Sequence, residues 1–159
     1  MITDQAKILI VEDENIVAKD IFNRLAGLGY SAIAIAATGN EALEKAILDK
    51  PDIILMDIML SRGDYDGIET VQELADKADI PVIYLTAYAD EASLIRSKTT
   101  RPYGYLLKPF QTKELQISIE IALNKHKMEK KRKSSRKLLS TVMKYVKDVI
   151  ETSSKKVGA

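Results

Sequence analysis

The stretch Asp52-Ile53-Ile54-Leu55-Met56-Asp57 decides the fold. Four consecutive apolar residues stand between two carboxylates, and Pro51 precedes them. A run of this kind is typical of a strand that is buried on both faces, as in a parallel sheet. Ligands of open parallel sheets bind at the carboxyl ends of the strands, which is where this pattern places Asp57. Asp57 is therefore the first candidate functional residue, and a helix cap or a turn aspartate is the alternative interpretation.

Similar runs along the chain predict the rest of the fold. Apolar or small-residue runs predict four further strands, over residues 7–11, 30–37, 81–86 and 103–107. Apolar residues at helical spacing predict helices over residues 15–28, 42–49, 68–77 and 90–99, and a last helix that begins at Thr112. Regular alternation of strand and helix indicates a parallel sheet with helices on both faces. We expect a flavodoxin-like (βα)5 doubly wound fold with strand order 2-1-3-4-5, in which strands one and three flank the ligand site.

Composition excludes several classes of protein. The 159 residues include no cysteine, so disulfides and thiolate metal sites are excluded. No apolar run approaches the roughly 20 residues that a membrane-spanning helix needs. The N-terminus shows no signal peptide, so we expect a cytoplasmic protein.

The net charge of +1 hides an asymmetry along the chain. Residues 1–124 contain 12 Lys+Arg against 20 Asp+Glu, whereas residues 125–159 contain 12 against 3. This change in composition predicts an acidic domain over residues 1–124 and a basic helical extension over residues 125–159. We expect the extension to be frayed from Glu151 to Ala159.

Polar side chains stand at the ends of four predicted strands. They are Glu12 and Asp13 after the first, Asp57 at the end of the third, Thr86 at the end of the fourth and Lys108 after the fifth. These ends meet at one edge of a parallel sheet, where three carboxylates would repel one another unless a cation lay among them. Oxygen ligands without cysteine or histidine favour a hard ion, and Mg²⁺ fits because it also binds water and phosphate.

The same edge of the sheet suits a phosphoryl group. A metal ion, the ammonium of Lys108 and the hydroxyl of Thr86 would surround three phosphoryl oxygens. A carboxylate oxygen of Asp57 would then be the attacking atom, and an acyl phosphate would form. Each residue alone also fits an ordinary role: Glu12 and Asp13 as helix caps, Thr86 as a strand-end threonine and Lys108 as a solvated loop residue.

Five motifs, in this order, resemble those of one family. They are ILIVEDE at Ile8–Glu14, DIILMD at Asp52–Asp57, DGIE at Asp66–Glu69, PVIYLTAY at Pro81–Tyr88 and YLLKPF at Tyr105–Phe110. The set resembles a response regulator receiver domain of two-component signalling, and it covers residues 7 to about 124.

The resemblance implies how the acceptor and the metal are held. Asp57 would be phosphorylated by a partner sensor histidine kinase. Asp13, Asp57 and the backbone carbonyl of Met59 would bind Mg²⁺ directly, and Glu12 would bind it through water.

The resemblance also implies a switch. Thr86 and Lys108 would hold the phosphoryl oxygens, and the Lys108–Pro109 peptide would be cis. Thr86 would move to the phosphoryl group while Tyr105 rotates inward. This movement would alter the surface of helix four, strand five and helix five, where we expect a downstream protein or a second copy of the chain to bind.

Two departures from the family pattern lie close to Asp57. Many receivers have a Met-Pro pair after the acceptor, whereas Met59-Leu60-Ser61 has no proline, and the loop to Asp66-Gly67 is longer by two residues. This loop resembles a variant that is frequent in archaeal and some bacterial receivers joined to sensory modules. In the family, the positions of Met59 and Tyr88 flank the path of the hydrolytic water. Both residues are bulky, so we expect a long-lived phosphoryl group.

The extension has a basic part and an apolar part. Residues 129–137 contain no apolar side chain. Apolar residues then recur at helical spacing: Leu138, Leu139, Val142, Met143, Val146, Val149 and Ile150. This stripe needs a partner, such as another copy of the chain or a kinase. The basic run could meet nucleic acid or anionic lipid, or it could form a solvated helical spacer.

We interpret the chain as a response regulator that acts by protein contact, not as an enzyme that turns over small substrates. One alternative is a DNA-binding transcriptional regulator that uses the basic extension, although this segment is too short for a winged helix or a helix-turn-helix. Another is a haloacid-dehalogenase-like phosphatase, which also uses a strand-end aspartate. That family usually has a second aspartate two residues after the first, where this chain has Met59.

Overall fold

A computed structural model of the chain describes residues 5–87 and 91–157, apart from the side chain of Ile33. The described residues form five strands: β1 Lys7–Val11, β2 Ser31–Ala36, β3 Ile53–Asp57, β4 Val82–Thr86 and β5 Gly104–Leu107. They also form five helices: α1 Asn15–Gly27, α2 Gly39–Asp49, α3 Gly67–Ala75, α4 Glu91–Lys98 and α5 Thr112–Val157.

The strands form one sheet in the order β2-β1-β3-β4-β5, and each neighbouring pair is parallel. The observed sheet confirms the predicted flavodoxin-like fold class, and α5 confirms the predicted extended C-terminal helix. Because all five strands run the same way, their carboxyl ends lie along one edge of the sheet.

Each face of the sheet has its own cluster of buried apolar side chains. Met56 of β3 packs in the cluster that also contains residues of α2 and α3. Leu55, its neighbour in the strand, packs in the cluster that also contains residues of α1 and α5. Successive side chains of a strand point to opposite faces, so an unbroken apolar run is what a strand covered on both sides requires.

The helices begin largely where the sequence predicts. Thr38 caps α2, because its hydroxyl oxygen accepts from the backbone N–H of Glu41 at 3.2 Å. The return bond of a capping box is different here, since the Glu41 carboxylate accepts from the N–H of Ala37 at 2.9 Å. At α3, in contrast, Asp66 and Glu69 form both bonds of the box.

The chain divides into two compact units, Met1–Asn124 and Lys125–Ala159. The second unit is helical as far as Val157, so residues 151–157 differ from the predicted frayed end. No proline or glycine occurs between Thr112 and Val157, and therefore nothing in that sequence ends the helix.

Among the helices that the structure describes, none is both long enough and apolar enough to cross a membrane.

Candidate active site

The carboxyl edge of the sheet brings together carboxylates from the ends of two neighbouring strands, β1 and β3. Glu12 and Asp13 directly follow β1, and Asp57 is the last residue of β3. The pairing of Val11 with Met56 puts these strand ends level with each other. As a result, one ligand atom from each of the three carboxylates can be chosen so that all lie within 4.8 Å of one another.

Three carboxylates at this separation, in a buried place, have a high electrostatic cost. Glu12 is 1%, Asp57 6% and Asp13 8% exposed. Like charges in such a place disfavour each other's ionised form, and a bound cation removes that penalty. The donor set consists of carboxylate oxygens, which suits Mg²⁺. The residues present therefore fit the metal that the sequence predicts.

Lys108 supplies a positive charge to the same cluster. Its ammonium lies 2.7 Å from Oε2 of Glu12 and 3.5 Å from Oδ2 of Asp57. Burial alone would lower the pKa of Lys108, but the two carboxylates outweigh burial and raise this pKa above its ordinary value. Lys108 is therefore an ammonium at neutral pH, next to the predicted acceptor. The Lys108–Pro109 peptide is cis, as predicted.

Glu12 has an unusual protonation equilibrium. Burial raises the pKa of Glu12 to about 7, although the hydrogen bond from Lys108 opposes this rise. The negative charge of Asp57 also contributes to this rise. Near neutral pH, the neutral and the ionised forms of Glu12 are thus both populated.

Ser61, in contrast, stabilises the ionised form of Asp13. Burial would raise the pKa of Asp13, but hydrogen bonds from the hydroxyl and the backbone N–H of Ser61 hold it below its ordinary value. These bonds are 2.5 Å and 3.0 Å long, and both end on Oδ2 of Asp13. No sequence pattern identifies Ser61, because a serine in a polar loop is not distinctive.

Met59 lies against the acceptor through its backbone. Its N–H donates to Oδ1 of Asp57 at 3.0 Å, while its side chain is 60% exposed.

Gly67, at the start of α3, lies close to the backbone of Asp57 and Ile58. A Cβ atom at Gly67 would lie against the carbonyl oxygen of Asp57 and 3.0 Å from Cα of Ile58. Only glycine permits this close packing.

The two predicted switch residues have partners other than Asp57. The hydroxyl of Thr86 donates to the carbonyl of Ala87 at 3.0 Å. The hydroxyl of Tyr105 shares a 2.6 Å hydrogen bond with that of Ser97 in α4, a contact that no sequence pattern predicts. Tyr88, predicted to flank the hydrolytic water, lies outside the described residues.

A (βα)5 sheet of this order, with acidic residues after β1, an aspartate ending β3 and a lysine after β5, defines a phosphoacceptor signalling domain. The family model of the response regulator receiver domain matches residues 8–120, and the chain belongs to this family.

Several curated relatives and solved structures are similar to this chain. The transcriptional regulatory protein PdtaR of Mycobacterium tuberculosis is 35% identical over 75% of this chain and 57% of its own length. The phyllosphere-induced regulator PhyR of Methylorubrum extorquens is 36% identical over 74% of this chain and 43% of its own length. The chain thus spans about half the length of these curated relatives. The signal receiver domain of a modulated diguanylate cyclase from Desulfovibrio desulfuricans matches with a TM-score of 0.75 and 40% identity, over 79% of this chain and 99% of that structure.

Proposed function

We propose that Asp57 accepts a phosphoryl group from a sensor histidine kinase and that the phosphorylated chain signals through contact with another protein. The observation that carries this proposal is the buried carboxylate of Asp57, 3.5 Å from the Lys108 ammonium and inside the acidic cluster. In the transfer, a carboxylate oxygen of Asp57 forms the new P–O bond while the P–N bond to the donor imidazole breaks. The released imidazole nitrogen keeps the electron pair and takes up a proton.

Each residue of the cluster has a role in this proposal. Asp13, Asp57 and the carbonyl of Met59 would hold Mg²⁺ directly, and Glu12 would hold it through water. When bound, the ion would offset the negative charge of the phosphoryl oxygens. Lys108 binds one of these oxygens through its ammonium, and Thr86 binds another through its hydroxyl. For Thr86, this requires its bond to Ala87 to break.

The direct test is phosphorylation in a mixture of the full chain, Mg²⁺ and acetyl phosphate. The intact mass should rise by one phosphoryl group, and Asp57→Asn should abolish the rise. A gain that survives this substitution would disprove the assignment of Asp57. Removing Mg²⁺ with EDTA should also abolish the gain in mass, and this control separately tests whether the reaction needs the metal.

The kinase side of the proposal is supported by a groove beside the site. The groove has a volume of about 490 Å³ and is mostly apolar. Its lining residues come from α1 and from the segment that carries Lys108: Ile16, Val17, Asp20, Ile21, Arg24, Lys108, Pro109 and Phe110. Ile16 is 86% exposed at the start of α1, so an apolar helix of a phosphodonor can bury it in this groove, which Lys108 also lines. Ile16→Asp should slow transfer from the kinase but not from acetyl phosphate.

The proposed chemistry is that of a switch that loses its phosphoryl group slowly, not of an enzyme that turns over small substrates. We propose that the bulky residues Met59 and Tyr88 hinder the hydrolytic water and prolong the life of the phosphoryl group. Rapid loss of phosphate from the purified protein with Mg²⁺ would contradict this. We also propose that the reaction takes place in the cytoplasm.

We also propose that the loop after β3 places this chain among the receivers with a lengthened, archaeal-type loop. Gly63 in this loop has φ +85°, a conformation that favours glycine. The loop ends at Asp66, which caps α3.

The output surface is proposed to be one of two faces, and either can bind a second copy of the chain. One is formed by α4, β5 and the first part of α5, where Tyr105 is 39% and Leu107 42% exposed. The other lies within residues 125–157. There, apolar side chains at alternating spacings of three and four residues are all exposed: Leu139, Val142, Val146 and Val149. That spacing is typical of a coiled-coil seam.

The two faces can be distinguished by measuring molar mass with light scattering. Val142→Lys with Val146→Lys should produce a monomer if the seam forms a dimer. Tyr105→Glu with Leu107→Glu should do so if the other face is used. A dimer that survives both pairs would contradict the proposal.

A second candidate function, binding of nucleic acid, is favoured by one observation. The basic side chains of residues 130–137 are exposed on a helix: Lys130, Lys131, Arg132, Lys133, Arg136 and Lys137. Such a segment binds phosphate backbones with an affinity that falls steeply with salt. Sequence-selective binding of duplex DNA that is lost when these six residues become glutamine would support this function.

A further inference from the structure

Ser61 is bound to the acidic cluster more closely than any pattern in the sequence suggests. Its backbone N–H donates to Oδ2 of Asp13 at 3.0 Å, and its hydroxyl donates to the same oxygen at 2.5 Å. Ser61 lies in the loop after β3 and Asp13 follows β1, so 48 residues separate the two in the chain. Two donors from one residue fix both the position and the rotation of this carboxylate.

We propose that Ser61 is a positioning residue for Mg²⁺: it holds Oδ2 of Asp13 so that Oδ1 stays available to the ion between Asp13 and Asp57. This inference rests on the proposed function, since it assigns a residue to the same metal site. Partners that hold metal-binding carboxylates in place commonly contribute 10- to 100-fold to metal affinity.

The two bonds depend on the identity of the residue at position 61. A proline there would have neither an N–H nor a hydroxyl, and alanine would keep only the N–H. The missing proline in Met59-Leu60-Ser61 thus has a structural consequence: it allows the loop to donate twice to Asp13.

The position of Ser61 is itself determined by the rest of the loop. A Cβ atom at Gly63 would lie 3.2 Å from Cβ of Thr38, so the loop packs tightly on the start of α2. Asp64 accepts a 3.4 Å hydrogen bond from the Asn40 side chain in the same helix. Because these contacts hold the loop in place, Ser61 can fix the orientation of the Asp13 carboxylate.

The opposite interpretation is that Ser61 competes with the ion for Asp13. A carboxylate has two oxygens, and both bonds from Ser61 end on one of them. Competition would make the metal bind more tightly when the hydroxyl is removed, whereas positioning makes it bind more weakly. The sign of the change therefore separates the two.

The experiment is calorimetric titration of Mg²⁺ into the full, unphosphorylated chain. Ser61→Val and Ser61→Thr form a matched pair, because they have nearly the same size and differ by the hydroxyl. The Kd should rise about 10-fold in Ser61→Val and by more in Ser61→Pro, and it should stay within about 3-fold of wild type in Ser61→Thr. Ser140→Ala, at an exposed serine of α5, is the control and should leave the Kd unchanged.

A second set of variants shows whether the effect passes through Asp13. In an Asp13→Asn background, Ser61→Val should cause little further loss, because coupled residues are not additive. An equal loss in that background would overturn the proposal, as would a Ser61→Val protein that binds Mg²⁺ as well as wild type or better. If wild type itself fails to bind Mg²⁺, the proposed metal site is wrong, and this inference falls with it. Circular dichroism of each variant confirms that it is folded, and Ser61→Ala, which also lacks the hydroxyl, replaces Ser61→Val in the test if Ser61→Val is not folded.

Discussion

At the scale of the residue, the acidic cluster is a balance between burial and charge. Glu12 is almost fully buried, and its nearest cation is Lys108 at 2.7 Å. Burial nevertheless outweighs this attraction, and the pKa of Glu12 rises to about 7. The burial of these carboxylates is unfavourable, and a bound divalent cation would offset this cost.

The raised pKa of Glu12 predicts how stability depends on pH without metal. The unfolded chain releases this proton near pH 4.5, whereas the folded chain keeps it until about pH 7. The free energy of unfolding should therefore fall as pH rises through this window, by at most about 3 kcal/mol, and stay level above it. Glu12→Gln cannot ionise and should lack this part of the fall. Urea unfolding in EDTA from pH 4 to 8 measures the difference between the two proteins.

One result of this experiment would contradict the raised pKa of Glu12. Equal slopes for wild type and Glu12→Gln between pH 4.5 and 7 would mean that Glu12 ionises normally in the folded chain. Mg²⁺ favours the ionised carboxylate, so adding it should reduce the fall in wild type and have a smaller effect on Glu12→Gln.

The sequence predicted part of this site, and the reason is geometric. Parallel strands must bring their carboxyl ends together, so Asp13, Asp57 and Lys108 could be grouped without coordinates. Ser61 and Ser97 could not, because their bonds depend on the path of a loop and on the placement of α4. Neither depends on a repeating pattern in the sequence.

At the scale of the element, the junction between β3 and α3 packs backbone closely against backbone beside the acceptor. Gly67→Ala would drive a methyl group into the backbone of Asp57 and Ile58, which cannot move aside as a side chain can. We expect this change to lower the free energy of unfolding by about 2 kcal/mol or more. Gly27→Ala is the matched control, since nothing lies within 4 Å of its Cβ position at the end of α1.

Urea unfolding of both variants tests this expectation. Gly27→Ala should be neutral or stabilising by up to about 1 kcal/mol, because alanine favours a helix more than glycine does. If the two substitutions cost the same, the close approach at Gly67 is not a constraint on the fold.

Asp66 joins two helices, and its two oxygens have separable roles. Oδ1 accepts from the N–H of Glu69 at 2.8 Å and caps α3, while Oδ2 lies 3.2 Å from the guanidinium of Arg96 in α4. Asp66→Ala should cost about 1–2 kcal/mol, because the cap is lost. Asp66→Asn keeps a capping oxygen and loses only a half-exposed ion pair, so it should cost a few tenths of a kcal/mol. Thermal melts of the pair measure this difference, and equal costs would contradict the assignment to the cap.

Most elements could be predicted from the sequence, and their exact ends could not. The apolar run of β3 is a local signal that the structure preserves. At Thr38, the second bond of the capping box is made by the N–H of Ala37, because this N–H is the one within reach of Glu41. The helical state of residues 151–157 was missed because polar composition suggests fraying, whereas the absence of helix breakers decided the outcome.

At the scale of the whole molecule, the two units differ in both charge and burial. Residues 1–124 hold 12 Lys+Arg against 20 Asp+Glu, and residues 125–159 hold 12 against 3. Every buried residue among those described lies at or before Ala122. The acidic unit thus has a core of its own, whereas the described residues from Lys125 to Val157 contribute none of it.

This division predicts that a chain ending at Asn124 folds without the extension. Its melting temperature should stay within about 3 °C of that of the full chain, because no buried side chain is removed. Its Mg²⁺ affinity should also be unchanged. A chain ending at Ile117 is the control, since it loses Ile119 and Ala122, which are both fully buried. Loss of that burial should lower the free energy of unfolding by about 3 kcal/mol or more. If the chain ending at Asn124 melts as early as the control, the extension stabilises the acidic unit, and the division into an independent domain and a separate helix is wrong.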